Sequence, residues 1–218
     1  MTAQLESCPA GTAAARVRPP VHLAPARVDL DAAERAAAAL LRALGLPLGT
    51  EAMSRTPARM ARAYAEMLAP RPFALTTFPN DEGYDELVLA RSLPVQSLCE
   101  HHMLPFTGVA HVGYLPGERI LGLSKLARVV EKFSRRPQVQ ERLTKQVADW
   151  LWTELRPRGV GVVMEAEHTC MTLRGVRAAG SSTVTSTLLG AFREDPRSRA
   201  EFLALTTGPA RSPGHRHD

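Results

Sequence analysis

The chain has 218 residues, of which 44% are hydrophobic, 22% charged and 5% aromatic, the proportions of an ordinary globular protein. That length suits one domain with tails and a core without disulfides, and no stretch reaches the roughly 18 uninterrupted apolar residues of a membrane span, which excludes membrane-spanning functions. The 27 basic residues, nearly all arginine, outnumber 22 acidic ones and fit an anionic ligand without choosing nucleic acid over nucleotide.

Residues 1–28 are rich in Ala, Pro and Arg without apolar periodicity and are expected to form a disordered tail, as are residues 206–218. The first twenty residues lack the basic start and apolar run of a secretion signal, so a cytoplasmic protein is expected. Within 29–70 two N-terminal helices are predicted. One covers 29–44 and stops at Gly45; the other covers 56–68, with Thr56 as cap and Pro57 in the first helical position.

Strands are predicted at 86–93 and 106–114, the second closed by the turn Leu115-Pro116-Gly117. Ser124 is expected to cap a helix over SKLARVVEKFSRR, and Pro137 to open a second helix that stops before Pro157 and Gly159. GVGVVMEAEH, CMTLRGVR and STVTSTLLGAF read as β-rich, and a short helix follows Asp195. Strands, then two helices, then strands predict an α+β fold with antiparallel pairing, its core at 86–205 of a domain spanning 29–205.

The densest chemical segment is Cys99-Glu100-His101-His102, where C-x2-H spacing lets one turn bring a sulfur and an imidazole to a single ion. In His168-Thr169-Cys170, alternate residues of a strand share a face, so His168 and Cys170 can point into one site. Two thiolates and one imidazole make a three-ligand zinc site whose fourth position is left for water, as catalytic zinc requires. On these residues alone a metal site and a redox cysteine pair both stay open, while Cys8 reads as a tail thiol.

Arg174, four residues after Cys170, would share its face on a continuing strand and could anchor an anion. Lys125 and Arg128 share a helical face near Ser124, where free backbone N–H groups favour anions; a solvated face is the other reading. Gln140 and Glu141 could bind a base edge, a carboxylate matching the adjacent N–H donors of guanine, or Glu141 could serve the helix dipole. There is no GxxxxGK[ST] or GxGxxG loop, so phosphates would be held by basic side chains and helix ends.

Together these motifs resemble the GTP cyclohydrolase I family. Cys99-Glu100-His101-His102, Gly122-Leu123-Ser124-Lys125, the run from Arg136-Pro137-Gln138 to Gln140-Glu141-Arg142-Leu143, His168-Thr169-Cys170 and Arg174-Gly175-Val176-Arg177 stand in family order and spacing. The resemblance covers residues 56–205. It implies the tunnelling fold (T-fold), an antiparallel sheet with two helices on one face, preceded here by N-terminal helices. The implied assembly is a toroidal homo-oligomer, two pentamers paired as a homodecamer with sites at subunit interfaces.

The resemblance also implies one zinc per subunit on Cys99, His102 and Cys170, with His101 and His168 as catalytic histidines that do not bind the metal. Glu141, with Gln140, would recognise guanine. Ser124, Lys125, Arg128 and Arg174 would take the triphosphate, joined by Arg59 of a neighbouring subunit. Thr172 departs from members that carry a basic residue there, so one auxiliary phosphate contact is expected to be missing.

The implied reaction opens the guanine imidazole ring of GTP by hydrolysis, releases C8 as formate, rearranges the ribose and closes 7,8-dihydroneopterin triphosphate. Such a product feeds folate, other pterins or deazapurines. The implied partners are GTP and further copies of the chain, with no nucleic acid and no membrane. Two other readings make different demands. A deazaguanine-nitrile reductase of the same fold needs one isolated reactive cysteine and a nicotinamide, and a zinc-stabilised nucleic-acid binder needs a fourth protein ligand and a basic patch interleaved with aromatics.

Overall fold

The computed structural model describes residues 28–207; of the tails expected at 1–28 and 206–218, residues 1–27, Cys8 among them, and 208–218 lie outside the described residues, while Thr206 and Thr207 belong to the last helix and not to a tail. Helix α1, Leu30–Ala43, starts where the Asp29 carboxylate accepts the Ala32 N–H at 2.8 Å and ends before Gly45, whose φ of 79° suits only glycine well. A short α2, Glu51–Ser54, is capped by Thr50. In α3, Thr56–Met67, the cap is Arg55 and not Thr56, whose hydroxyl turns to the Met53 sulfur instead. Pro57 keeps its place in the first turn, where a missing N–H has no helical partner to lose. Ala37, Leu41 and Ala61 are buried where α1 and α3 pack together.

The remaining elements follow in order: β1 Thr77–Pro79, β2 Val88–Cys99, β3 Pro105–Leu115, β4 Arg119–Leu121, α4 Ser124–Ser134, β5 Pro137–Gln138, α5 Gln140–Leu155, β6 Gly159–His168, α6 Thr169–Thr172, β7 Thr183–Gly190, α7 Ala191–Glu194 and α8 Pro196–Thr207. The main sheet has the order β5-β2-β3-β6-β7, antiparallel except for β5 beside β2, and β1 pairs with β4 in a separate ribbon. The fold is therefore α+β with antiparallel pairing. No helix among the described residues is long and apolar enough to cross a membrane.

Three local expectations yield to tertiary geometry. Leu123 holds the cap position of α4, so Ser124 is already its first residue and makes no side-chain cap. Pro137 does not open a helix: Pro137 and Gln138 pair with Leu98 and Cys99, Val139 stays extended, and α5 begins at Gln140. The segment 170–177 is not a strand. Its predecessor β6 runs out of partner at the Phe106–His168 pair, and Thr169 donates its hydroxyl to Pro105 O at 2.6 Å as the chain turns into α6.

The core lies between the sheet and one helical layer. Phe106, Ala110, Val112 and Tyr114 of β3 and Val160, Val162, Met164 and Ala166 of β6 meet Leu126, Val129 and Val130 of α4 and Leu143, Val147 and Leu151 of α5. In β2 the inward residues are Val88 and Ala90 first, then Leu93, Val95 and Cys99, because the pairing slips between Ala90 and Leu93. A strand alternates with period 2, so one extra residue in this bulge, where Ser92 has φ 54°, switches which residues face inward. Cys99 reaches the helix-facing side only because of that switch.

Candidate metal centre and substrate-binding residues

Cys99 ends β2, and its carbonyl accepts the N–H groups of His102 at 3.3 Å and Met103 at 2.8 Å, so the chain folds straight back. This tight turn sets Cys99 Sγ 3.8 Å from His102 Nδ1. Cys170, in the first turn of α6, completes a cluster whose ligand atoms all lie within 4.8 Å of one another. Among the described residues it is the one such group of His, Cys, Asp or Glu. Zinc bonds of about 2.0–2.3 Å give a tetrahedral edge of about 3.6 Å, so these donors need shift little to share one ion.

The donor set itself favours a soft divalent cation over magnesium or calcium. Burial pushes the Cys170 thiol up, as does its hydrogen bond with Cys99, while Arg174 pulls it down. Two adjacent thiolates therefore need a cation between them, which fits a bound metal. Cys170 arrives by a route other than the expected one: it sits on a helical turn beyond the strand, and His168 and Cys170 do not share a strand face. Arg174 likewise stands on no strand, yet its charge still acts on Cys170 from the exposed loop after α6.

Neighbouring elements hold the turn. Tyr64 of α3 donates its hydroxyl to Met103 O at 3.2 Å. Glu100 N–H donates to Gln138 O at 2.9 Å, and the Glu100 carboxylate pairs with Arg142 of α5, which also donates to Gln138 Oε1 at 3.0 Å. The Arg142 guanidinium holds the Glu100 carboxyl below its ordinary range. His101 is exposed, its ring edge-on to His102 with centroids 6.4 Å apart.

His168 is the last inward residue of β6, half-buried and stacked on Phe106 with ring centroids 4.5 Å apart. Its Nε2 lies 2.8 Å from Gln140 Oε1. Burial lowers its pKa, and the nearby Glu141 carboxylate opposes that shift. A neutral imidazole at pH 7 follows. Glu141, in the first turn of α5, is exposed and open to a ligand. Gln140 departs from the expected contact with a base edge: it is 2% exposed, and its amide nitrogen donates to Met164 O, Thr183 O and Thr185 Oγ1.

The residues expected to take phosphates fall into separate places. Ser124 and Arg128 line a cavity of about 410 Å³ together with Arg71, Gln96 and Arg135, and Lys125 is half-buried with its ammonium 6.0 Å from the Phe73 ring centre. This end of α4 adjoins the far end of β3, where Tyr114 Oη accepts the Leu121 N–H at 3.0 Å. The other end of α4 adjoins the metal cluster's strand, with Ser97 Oγ donating to Arg136 O at 3.0 Å. The helix between is 11 residues long. At about 1.5 Å per residue Ser124 stands about 15 Å along the helix axis from its Ser134 end, and Arg128, six residues before Ser134, about 9 Å from it. Arg59 is exposed on α3, and Thr172 is buried with a hydroxyl that has no hydrogen-bond partner.

The profile of the family described as GTP cyclohydrolase I matches residues 33–207, most of the chain. The chain belongs to the GTP cyclohydrolase I family. It is 51% identical over 191 residues to GTP cyclohydrolase 1 of Thermobifida fusca, covering 85% of this chain and 92% of that one. The enzyme of the same name from Mycobacteroides abscessus is 53% identical over 184 residues, covering 81% and 89%. That of Aquifex aeolicus is 47% identical over 181 residues, covering 83% and 98%.

Within this GTP cyclohydrolase I domain, three residues that sequence reasoning did not single out shape the site. Arg142 clamps Glu100, Tyr64 holds Met103, and Phe106 carries the His168 ring. Arg142 stands inside a family motif and carried that weak signal. Tyr64 and Phe106 carried none, because their roles depend on pairings between distant segments.

Proposed function

We infer that this protein carries out the GTP cyclohydrolase I reaction, converting GTP and water into formate and 7,8-dihydroneopterin triphosphate, with zinc on Cys99, His102 and Cys170. The observation that carries this reading is the cluster of two thiols and one imidazole on the end of the sheet that also bears His168 and the start of α5. When bound, zinc supplies a water acidic enough to act as a nucleophile near neutral pH. The exposed Glu141 carboxylate accepts the adjacent N–H groups of guanine and so orients the imidazole ring of the base. His168, kept neutral by burial, exchanges a proton with a ring nitrogen as the ring opens. His101, exposed beside the metal turn, serves the proton transfers of the ribose rearrangement.

Arg174 binds triphosphate on the metal side, and Ser124, Lys125, Arg128 and Arg59 complete the anion site from a neighbouring copy. The placement of Ser124 and Lys125 in the first turn of α4 supports this division, since the strand of the metal cluster adjoins the other end of that helix. The outer edges of β7 and of residues 88–97 of β2 carry no strand among the described residues, and Leu173, Val176 and Val184 are exposed. Open edges and apolar surface favour association, in keeping with a T-fold toroid of two pentamers working in the cytoplasm. A reductase with one lone cysteine nucleophile does not account for Cys99, His102 and Cys170 converging on one point.

The test is the Cys170→Ser variant, with metal content and formate release measured on the same sample. Bound zinc is expected to fall from near one per chain toward none, and formate release with it. Full metal content with undiminished GTP turnover would remove the assignment.

A further inference from the structure

Every polar atom of the Gln140 side chain is used inside the protein. The amide nitrogen faces Met164 O at 3.2 Å, Thr183 O at 2.8 Å and Thr185 Oγ1 at 3.1 Å. Carbonyl oxygens only accept, so the nitrogen must stand there; a flipped amide would set Oε1 against two carbonyls. The Thr185 hydroxyl is free to accept from Gln140, because the hydroxyl network directs its own proton elsewhere. Thr144 donates to Gln140 O at 2.9 Å, which leaves Thr185 to donate to Thr144 Oγ1 at 2.6 Å. Gln140 Oε1 is thus an obligatory acceptor, and the atom facing it is His168 Nε2 at 2.8 Å.

We propose that Gln140 is the positioning residue of His168, holding its imidazole as the Nε2–H tautomer so that Nδ1 is the ring atom that exchanges a proton with substrate. Two independent restraints fix the ring. The Phe106–His168 pairing stacks it at an interplanar angle of 12°, which sets its plane, and Gln140 sets its rotation within that plane. Thr183 and Thr185 belong to β7 and Met164 to β6, so the sheet itself anchors the amide that holds the ring. No side-chain atom of Gln140 is left for a base edge, and side-chain recognition of guanine from this pair falls to Glu141 alone.

This role rests on the reading of His168 as a proton-transfer group, but the tautomer can be observed without any reaction. Magic-angle-spinning NMR of the metal-loaded protein with ¹⁵N-labelled histidine, assigned by comparison with a His168→Asn variant, reads the ring directly. A protonated Nε2 and a bare Nδ1 at mildly alkaline pH are expected. A bare Nε2 in the wild-type protein overturns the proposal whether or not GTP is consumed. In Gln140→Met, which removes the acceptor at similar volume, mixed tautomers are expected with unchanged metal content.

Kinetics on the same variant separate positioning from recognition. A loss in kcat of about 10–100-fold is expected, the usual cost of losing a group that orients a reactive one. KM for GTP should change by less than about twofold, because uniform binding is untouched. A raised KM with unchanged kcat and an intact tautomer would mark a base contact and overturn the proposal. If the wild-type protein shows the Nε2–H tautomer yet never consumes GTP, the reaction reading fails and the proton-exchange role falls with it, while the Gln140–His168 restraint stands.

Discussion

His111 lies on the face of β3 turned away from α4 and α5, only 7% exposed, and its Nδ1 accepts the Ser92 N–H of the β2 bulge at 3.4 Å. Burial lowers its pKa from the ordinary 6.5; Arg91 acts in the same direction and Glu165 against it. Burial lowers His168 as well. The folded chain therefore binds these protons more weakly than the unfolded chain, and by linkage the stability they carry is complete above the unfolded value and lost as pH falls through the folded one. The thermal midpoint of the metal-loaded protein is expected to hold steady above neutrality and to fall as pH drops below 6.5. His111→Gln keeps an acceptor for Ser92 but cannot charge, so its midpoint should fall less steeply over the same range. Superimposable pH profiles for the two proteins would contradict this assignment.

At the scale of elements, the site depends on how β2, β3 and β6 are spaced and registered. Gly108 on β3 pairs with Ala166 on β6, one inward pair away from Phe106 and His168. A Cβ at Gly108 would meet Glu165 O at 2.0 Å and Ala166 Cα at 2.6 Å, both of them backbone. Gly108→Ala must push the two strands apart, at a cost of about 1–3 kcal/mol. Calorimetry is expected to show a lowered midpoint, and turnover should fall with it as the His168 ring leaves its stacking partner; an unchanged midpoint would show that the strands can yield there. Much of this layer was legible in the sequence: the alternation of GVGVVMEAEH matches β6 from end to end, and C-x2-H is a local signal that survives any fold. The extension of β2 through Cys99 was not legible. A bulge breaks the alternation at residues 91–92, and Pro94 reads as a strand breaker, although the outer edge of β2 has no ladder bond there to lose. Cys170 was found for an incomplete reason, since H-x-C spacing looks the same on a strand and on the turn that follows one. The closed network around Gln140 was hidden because its side-chain partners come from β6 and β7, 24 to 45 residues further along the chain.

At the scale of the whole molecule, the proposed function divides each site into a metal half with Cys99, His102, Cys170 and His168 and an anion half with Ser124, Lys125 and Arg128 of α4 from a neighbouring copy. On that proposal a working site needs two copies. Oligomers of Cys170→Ser alone and of Arg128→Ala alone are expected to be nearly inactive, for different reasons. Co-expressed in equal amounts, they should regain about a quarter of wild-type turnover, because random neighbours unite two intact halves at that frequency. No recovery in verified mixed oligomers would place both halves of each site within one chain. The central claim, metal-dependent opening of the guanine ring, is tested most directly by anaerobic incubation of metal-analysed wild-type protein with GTP, with and without a chelator, following formate and the pterin that fluoresces after oxidation. Formate and pterin rising together in equal amounts, and both ceasing on chelation, is the expected result; zinc bound near one per chain with GTP untouched would contradict it.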